Sequence, residues 1–277
     1  MPAFAGKRVL VTGAASGIGR LMSERFAAGG AEMVLWDLDA GILEGFAAAL
    51  AAAGHRAHHY ACDVSDRRAV SATAARVLAE AGPVDVLVNN AGIVSGKPLL
   101  EADDDAIERT LAVNTLALFW TTRAFLPAMI ARGTGHVVTI ASAGGICGTA
   151  RLVDYCASKF AAMGFDDSLR LELARLGHRD IRTTVVCPFY IRTGMFHGVR
   201  TRVPWLLPIL EPEYAADRIV DAVRRRRRRL VMPRFVLGVY AARLLPVPAF
   251  DALMHWLGVS RSMDEFTGRA SSGPDRS

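Results

Sequence analysis

The sequence has few cysteines and no arrangement of them that would bind a metal. Four occur among the 277 residues, namely Cys62, Cys147, Cys156 and Cys187, without CxxC spacing or the Cys/His spacing of a zinc site. Three of them lie at the ends of apolar runs or beside a motif, which indicates reduced thiols in a reducing compartment. We therefore expect no metal.

Long apolar runs are also missing. Residues 1–8 reach charged side chains before an apolar run of signal-peptide length develops, so neither a secretory signal nor an N-terminal anchor is visible. Residues 235–259 are apolar, but Pro246, Pro248, Arg243 and Asp251 interrupt them, and the segment is too broken to span a bilayer. These features predict a cytoplasmic protein.

Positive charge is concentrated in one place. The net charge is +6, and the run from Arg224 to Arg229 contributes six positive charges, so the remainder of the chain is neutral on balance. A second basic stripe and interleaved aromatic residues are absent, which argues against nucleic-acid binding. Two interpretations of the run stay open: peripheral contact with anionic lipid, together with residues 235–259, or a solvated helix end.

Strand and helix patterns alternate along the chain. Continuous apolar runs predict strands at residues 7–12, 31–37, 57–62, 84–88, 135–141, 181–187 and 230–232. Spacings of three and four predict helices at residues 17–30, 40–53, 66–81, 104–132, 154–175 and 213–229. Continuous apolar strands that alternate with helices are typical of a parallel sheet covered on both faces. We predict an α/β fold with a doubly wound parallel sheet.

A glycine-rich turn lies between the first strand and the first helix. It reads Thr12-Gly13-Ala14-Ala15-Ser16-Gly17-Ile18-Gly19. Glycine allows close backbone approach to a pyrophosphate, and the free N–H groups of a helix N-terminus favour anions. The spacing is GxxxGxG rather than GxGxxG, and a purely structural turn is the alternative. Its position after a strand and before a helix favours dinucleotide binding.

An acidic residue, Asp37, ends the second expected strand. A carboxylate there accepts hydrogen bonds from the adenosine ribose and repels a 2′-phosphate. Ser16 and Leu38, at the positions where a basic side chain would bind that phosphate, are uncharged. We therefore expect NAD rather than NADP, although an exposed acid at a strand end is common without such a role.

Tyr155 and Lys159 lie four residues apart in an expected helix and therefore share one face. A free tyrosine titrates near pH ~10, and use as a base near neutrality requires about 3 units, or roughly 4 kcal/mol, of preferential stabilisation of the phenolate. A neighbouring lysine supplies part of that stabilisation. Alone, the pair is also compatible with an ordinary amphipathic helix.

Further motifs follow the later strands in a fixed order. They are Cys62-Asp63-Val64, Asn89-Asn90-Ala91-Gly92, Asn114, Ser142 and then the Tyr155/Lys159 pair. Together with the glycine-rich turn, they resemble the short-chain dehydrogenase/reductase family in its classical form, over about residues 6–195. The resemblance implies a Rossmann-type fold and an NAD-dependent oxidoreductase. Residues 1–233 would form its NAD-binding domain with the substrate loop, and residues 234–277 an apolar extension and polar tail, with residues 271–277 disordered.

The resemblance also implies the role of each site residue. Tyr155 would be the general acid/base, Lys159 would lower its pKa and hold the ribose, Ser142 would bind the reacting oxygen, and Asn114 would hold a relay water. The cofactor would contact Gly13, Ser16, Gly17, Ile18, Gly19, Asp37, Asp63, Val64, Asn90, Ala91, Gly92, Tyr155, Lys159, Pro188, Ile191 and Thr193. The family's usual Pro-Gly is Pro188-Phe189 here, so the following loop is expected to hold the nicotinamide end differently.

Finer matches narrow the resemblance to one branch of the family. Residues 34–37, 119–129, 155–162, 211–213 and 262–269 are similar to the branch of epidermal retinol dehydrogenases and lipid-droplet 17-beta-hydroxysteroid dehydrogenases. The resemblance implies an apolar alcohol or carbonyl substrate, such as a retinoid, steroid or long-chain compound, and a homo-oligomer packed through residues 104–132 and 154–175. The apolar residues 143–147, 195–196 and 203–208 agree with such a substrate. The alternatives are a dehydrogenase of small polar alcohols and a non-catalytic NAD-binding regulator.

Overall fold

A seven-stranded parallel sheet organises the chain, and the computed structural model describes residues 2–268 of it. The strand order is β3-β2-β1-β4-β5-β6-β7, so the chain winds outward in both directions from the centre. The strands are β1 (Arg8–Thr12), β2 (Glu32–Asp37), β3 (Ala57–Ala61), β4 (Val86–Asn89), β5 (Gly135–Ile140), β6 (Ile181–Pro188) and β7 (Arg229–Met232). The predicted doubly wound, Rossmann-type fold is confirmed.

Helices cover both faces of this sheet. They are α1 (Gly17–Ala28), α2 (Ala40–Ala52), α3 (Arg67–Glu80), α4 (Asp104–Leu111), α5 (Ala117–Arg132), α6 (Val153–Arg175), α7 (Pro212–Arg224), α8 (Gly238–Ala242) and α9 (Val247–Trp256). Successive strand residues point to opposite faces, so Val9 and Val11 pack with Phe26 and Ile219, whereas Leu10 packs on the other face with Phe125. Both core layers are buried, which explains the uninterrupted apolar strands.

Two expected helices differ from the structure. The helix expected over residues 104–132 is interrupted by a π-helical turn, Ala112–Leu116. The helix expected over residues 213–229 ends at Arg224, because Arg226 adopts a left-handed conformation with φ of 51° and Arg229 begins β7. The arginine run therefore comprises the end of α7, a turn and the first residue of the edge strand β7. An edge strand was expected here, but a helix that continues to residue 229 is not what the structure shows.

The chain after β7 folds back onto the sheet. Val236, Met254, Leu257 and Val259 are buried in the same cluster as Ala141, which directly follows β5. None of the helices in residues 2–268 combines the length and the apolar character that a transmembrane span requires. The disorder expected for residues 271–277 lies outside the described residues.

Candidate active site

One large cavity, of about 630 Å³, lies at the carboxyl ends of the strands. In a doubly wound sheet this edge is the usual place for a ligand, because the strand order reverses there. The cavity is lined by every site residue that the sequence predicted except Asn114, namely Gly13, Ser16, Gly17, Ile18, Gly19, Asp37, Asp63, Val64, Asn90, Ala91, Gly92, Ser142, Tyr155, Lys159, Pro188, Ile191 and Thr193. Residues far apart in the chain thus converge on a single site.

The glycine-rich turn follows β1 and leads into α1. Gly13 and Gly17 have φ of 65° and 55°, a conformation that favours glycine. A Cβ atom on Gly19 would lie only 1.9 Å from the carbonyl oxygen of Gly13, so the first turn of α1 packs directly against the end of β1. This arrangement directs the free backbone N–H groups of the helix N-terminus into the cavity.

Asn90 and Thr12 hold this turn against the neighbouring strand. The Thr12 hydroxyl accepts hydrogen bonds from the amides of Asn90 and Ala91, each at 3.0 Å. The Asn90 side chain donates to the carbonyl oxygens of Thr12 at 2.9 Å and Gly13 at 3.1 Å. The Asn90 side chain is therefore occupied in shaping the turn, which leaves the backbone of this segment to face the cavity.

Asp37 combines a structural contact with a position at the cavity wall. Its Oδ2 accepts a hydrogen bond from the amide of Ala15 at 2.8 Å, and its Oδ1 accepts from the amide of Asp39 at 3.3 Å. A carboxylate offers about four lone-pair directions, so acceptor capacity remains for a ligand. Leu38, beside it, is 59% exposed and carries no charge for a phosphate.

Tyr155, Ser142 and Lys159 form the polar floor of the cavity. The Ser142 hydroxyl is close enough to the Tyr155 phenol to favour the phenolate, and its oxygen accepts a hydrogen bond from the amide of Gly144 at 3.0 Å. The Lys159 ammonium donates to the carbonyl oxygen of Ile140 at 2.9 Å and lies 5.6 Å from the centroid of the Tyr155 ring. Both residues face the cavity from α6, as their four-residue spacing predicted.

Burial dominates the ionisation of this pair. It raises the pKa of the Tyr155 phenol above its usual 10.0, and the Ser142 hydroxyl opposes the rise only in part. Burial likewise lowers the pKa of Lys159 to about 8. Tyr155 is thus held as a neutral phenol that can donate its proton, while Lys159 can change its protonation state near physiological pH.

Asn114 lies behind the floor, in the π-helical turn between α4 and α5. Its side chain accepts a hydrogen bond from the amide of Ile93 at 2.9 Å and donates to the Ile93 carbonyl and the Ser158 hydroxyl, each at 3.0 Å. A Cβ atom on Gly92 would contact both Asn114 Oδ1, at 3.3 Å, and Lys159 Nζ, at 3.5 Å. Gly92 therefore occupies the space that separates the two side chains.

The other half of the cavity is apolar. Of the segments expected to contact substrate, Ala143, Gly144, Cys147, Met195, Phe196 and Leu207 line it. Trp205, in the same expected segment, is 82% exposed and points away from it. The Phe196 ring contacts the edges of Tyr155 and Tyr190, with ring centroids 5.8 Å and 5.1 Å apart.

Sequence reasoning missed most of the wall contributed by the C-terminal segment. This wall consists of Phe235, Val236, Val239, Met254, Leu257 and Val259. Tyr190 was also missed; its hydroxyl is hydrogen-bonded to Ser262 at 2.9 Å, which ties the loop after β6 to the end of the chain. The sequence signal that could have indicated this wall is the apolar segment of residues 235–259, which directly follows the last strand and is divided by prolines into short pieces.

The fold and this site together define an oxidoreductase of the dinucleotide-binding α/β class. The family described as short chain dehydrogenase matches residues 7–204, and the chain belongs to that family. It is 45% identical to epidermal retinol dehydrogenase 2 of Mus musculus over 267 residues, which cover 96% of this chain and 86% of that relative. The predicted family, its branch and the enzyme class, a short-chain alcohol dehydrogenase/reductase, are confirmed.

Two solved structures of the family are similar as well. A metagenomic short-chain oxidoreductase in complex with NADP has a TM-score of 0.68 and 34% identity, covering 80% of this chain and 91% of its own. A short-chain dehydrogenase/reductase from Burkholderia phymatum in complex with NAD has a TM-score of 0.79 and 25% identity, covering 99% of both chains. Members of this fold thus bind either dinucleotide.

Proposed function

We propose that this protein interconverts an apolar alcohol and its carbonyl compound with NAD(H), using Tyr155 as the general acid/base. One observation carries the proposal. Tyr155 and Ser142 line the same cavity as the glycine-rich turn on the cofactor side and the apolar side chains of the C-terminal wall. A reacting carbon placed there would have a dinucleotide on one side and an apolar chain or ring system on the other.

The residues of the glycine-lined half fit a dinucleotide. The close packing of Gly19 on Gly13 leaves no room for side chains where a pyrophosphate would lie against the helix N-terminus. Asp63 and Val64 would flank the adenine, Asn90 to Gly92 the adenosine, and Ile191 and Thr193 the carboxamide. The negative charge of Asp37, with uncharged Leu38 beside it, favours NAD, because NADP would bring a phosphate to the same place.

Side chains of the protein itself carry out the proton transfer. In carbonyl reduction, Tyr155 donates its phenolic proton to the carbonyl oxygen while Ser142 donates a hydrogen bond to the same oxygen. In alcohol oxidation, the phenolate accepts that proton, and a positively charged Lys159 stabilises the phenolate. When bound, the nicotinamide accepts or supplies the hydride. Asn114 would hold a water that joins Lys159 to solvent as a proton relay.

The apolar half of the cavity supports an apolar substrate. Its wall consists of aliphatic and aromatic side chains from three segments of the chain, and a pocket of this composition gains affinity by burying apolar surface. The similarity to epidermal retinol dehydrogenase 2 agrees with a retinoid, steroid or long-chain alcohol. An anionic or sugar substrate would find few polar partners in the C-terminal wall.

The test is a screen for NADH formation over retinol, hydroxysteroids, long-chain alcohols and small secondary alcohols, with wild type and Tyr155→Phe. We expect turnover of the apolar alcohols and a loss of about a thousandfold or more in the variant, since acid/base catalysis contributes roughly 10²–10⁴-fold. NAD binding should persist in Tyr155→Phe, because the phenylalanine ring keeps the packing against Phe196. Tyr240→Phe removes a partly exposed phenol outside the cavity lining and serves as the control.

Activity only on small polar alcohols would contradict the substrate assignment. Undiminished turnover by Tyr155→Phe would contradict the catalytic one. NAD binding without any turnover across the screen would instead support the non-catalytic regulator.

A further inference from the structure

Exposed apolar side chains are concentrated in the segment that follows β7. Among the described residues, 21 large hydrophobic side chains are exposed, and seven of them fall within residues 235–256. These seven are Phe235, Leu237, Tyr240, Leu244, Leu245, Val247 and Trp256. The most exposed are Leu244, at 87% in the turn between α8 and α9, and Val247, at 71% at the start of α9. Apolar area of this density on one short segment marks an interaction surface.

The same segment is apolar on its inner side as well. Val236, Val239, Met254 and Leu257 line the cavity, and so does the half-exposed Phe235, which therefore belongs to the inner side. A single layer of chain therefore separates the cavity from the outside, with hydrophobic side chains on both sides of it. A helix that is hydrophobic all round is normally buried in protein or in lipid, since water stabilises neither face.

Two exposed tryptophans, Trp205 and Trp256, belong to segments that contact each other through Arg202. The Arg202 guanidinium donates a hydrogen bond to the carbonyl oxygen of Trp256 at 3.1 Å, and Arg202 packs directly against Gly258. This contact places the loop of Trp205, which is 82% exposed, beside Trp256, which is 59% exposed. Exposed tryptophans suit the boundary between lipid headgroups and acyl chains, where an apolar ring and a polar N–H are both accommodated.

The charges around these tryptophans are positive on balance. Residues 199–207 and 234–268 contain five arginines, Arg200, Arg202, Arg234, Arg243 and Arg261, against three carboxylates, Asp251, Asp264 and Glu265, of which Glu265 pairs with Arg200 at 2.9 Å. The net charge of the two stretches is thus 5 − 3 = +2, which is complementary to an anionic membrane. The residues from Arg224 to Arg228 precede β7 and so belong to the amino edge of the parallel sheet, opposite the cavity, whereas Arg229, the first residue of β7, donates a hydrogen bond to the Tyr240 hydroxyl at 3.3 Å.

We propose that the C-terminal cap, defined as Trp205, Trp256 and the exposed apolar side chains of residues 237–256, docks on the surface of an anionic phospholipid bilayer. Docking buries the outer apolar face in the acyl boundary while nearby arginines contact the headgroups. An apolar compound dissolved in the bilayer would then be separated from the cavity by the cap alone. The part of the arginine run that lies at the opposite edge, Arg224 to Arg228, takes no part in this contact.

Co-sedimentation with lipid vesicles tests the proposal on the full chain without cofactor or substrate, so its outcome is independent of the proposed reaction. The vesicles contain phosphatidylcholine alone or mixed with phosphatidylserine. We expect wild type to bind the mixed vesicles more tightly and Trp205→Ser/Trp256→Ser to bind them roughly tenfold or more weakly, since exposing each buried ring costs a factor of this order. Leu176→Ser, at a side chain 60% exposed at the end of α6, is the matched control and should bind like wild type.

One further variant and one further measurement distinguish membrane docking of the cap from binding through the arginine run and from contact between copies of the chain. Arg227→Gln/Arg228→Gln should leave vesicle binding unchanged; loss of binding in this variant, with normal binding by the tryptophan variant, would overturn the proposal in favour of the arginine run. Absence of vesicle binding by wild type would overturn it as well. If the tryptophan variant instead changed the mass in light scattering without affecting vesicles, the cap would be a contact between copies of the chain. Circular dichroism checks that each variant is folded.

Discussion

Asp166 makes the stability of this protein depend on pH in a direction opposite to that of most carboxylates. It lies on α6 and is 1% exposed. Its Oδ2 accepts a hydrogen bond from the Thr183 hydroxyl at 3.4 Å, while its Oδ1 has no hydrogen-bond partner in the described part of the chain. Burial, together with the adjacent negative charge of Asp167, raises the pKa of Asp166 from 3.8 to about 7. Arg229, which forms two hydrogen bonds to Asp167, offsets this only partly.

The sign of the effect follows from proton binding. Between pH 3.8 and about 7 the folded protein holds a proton on Asp166 that the unfolded chain has lost. Stability is therefore fully present below pH 3.8 and falls as the pH rises towards 7. At about 1.4 kcal/mol for each pKa unit, the total loss is roughly 4 kcal/mol, of which about 3 kcal/mol falls between pH 5 and pH 8.

Asp166→Asn removes this titration while preserving the shape of the side chain. The free energy of unfolding, measured in urea at pH 5 and pH 8, should rise relative to wild type by about 3 kcal/mol more at pH 8 than at pH 5. Asp180→Asn, in an exposed turn before β6, is the control for a generic loss of charge. A difference between Asp166→Asn and wild type that is equal at the two pH values would refute the reasoning.

Two predictions concern the cofactor side of the cavity. Gly19→Ala should cost about 1–3 kcal/mol of stability and weaken NAD binding, because its Cβ would overlap the Gly13 carbonyl. The control is Gly45→Ala, in α2 with open space around it. This variant should stabilise the protein by roughly 0.5–1 kcal/mol in the same urea titration. Asp37→Asn should raise NADP affinity relative to NAD by about tenfold or more in a fluorescence titration, since the amide keeps the bond from Ala15 without the charge. Tighter binding of NADP than NAD by wild type would contradict the assignment of Asp37.

The residues at the carboxyl edge of the sheet were predictable from sequence because they follow strands that are recognisable as continuous apolar runs. Gly13, Asp37 and Ser142 each stand at or just after the end of an apolar run, and parallel strands bring such positions together. The helical spacing of four places Tyr155 and Lys159 on one face. Their catalytic roles, and that of Ser142, rest on the resemblance to the short-chain dehydrogenase/reductase family and not on periodicity alone.

What escaped prediction depends on contacts between distant segments. Nothing near Ser262 in the chain indicates that its hydroxyl meets Tyr190, and the inner face of residues 235–259 is apolar whether it lines a cavity or packs on a neighbour. The end of α7 at Arg224 was missed for a different reason. Arginine is a good helix former, so the run itself carries no stop signal, and the pairing of Arg229 with Val185 across the sheet decides the boundary.

The π-helical turn at Ala112–Leu116 makes the length of this segment as important as its composition. A π turn accommodates one more residue than an α turn, so it rotates everything before it by about 100° relative to everything after it. With this turn in place, Arg109 on α4 lines the cavity, and Trp120 on α5 packs against the cluster that includes α3. Homologous chains that differ by one residue here would present another side of α4 to the substrate, although no side chain in the cavity had been exchanged.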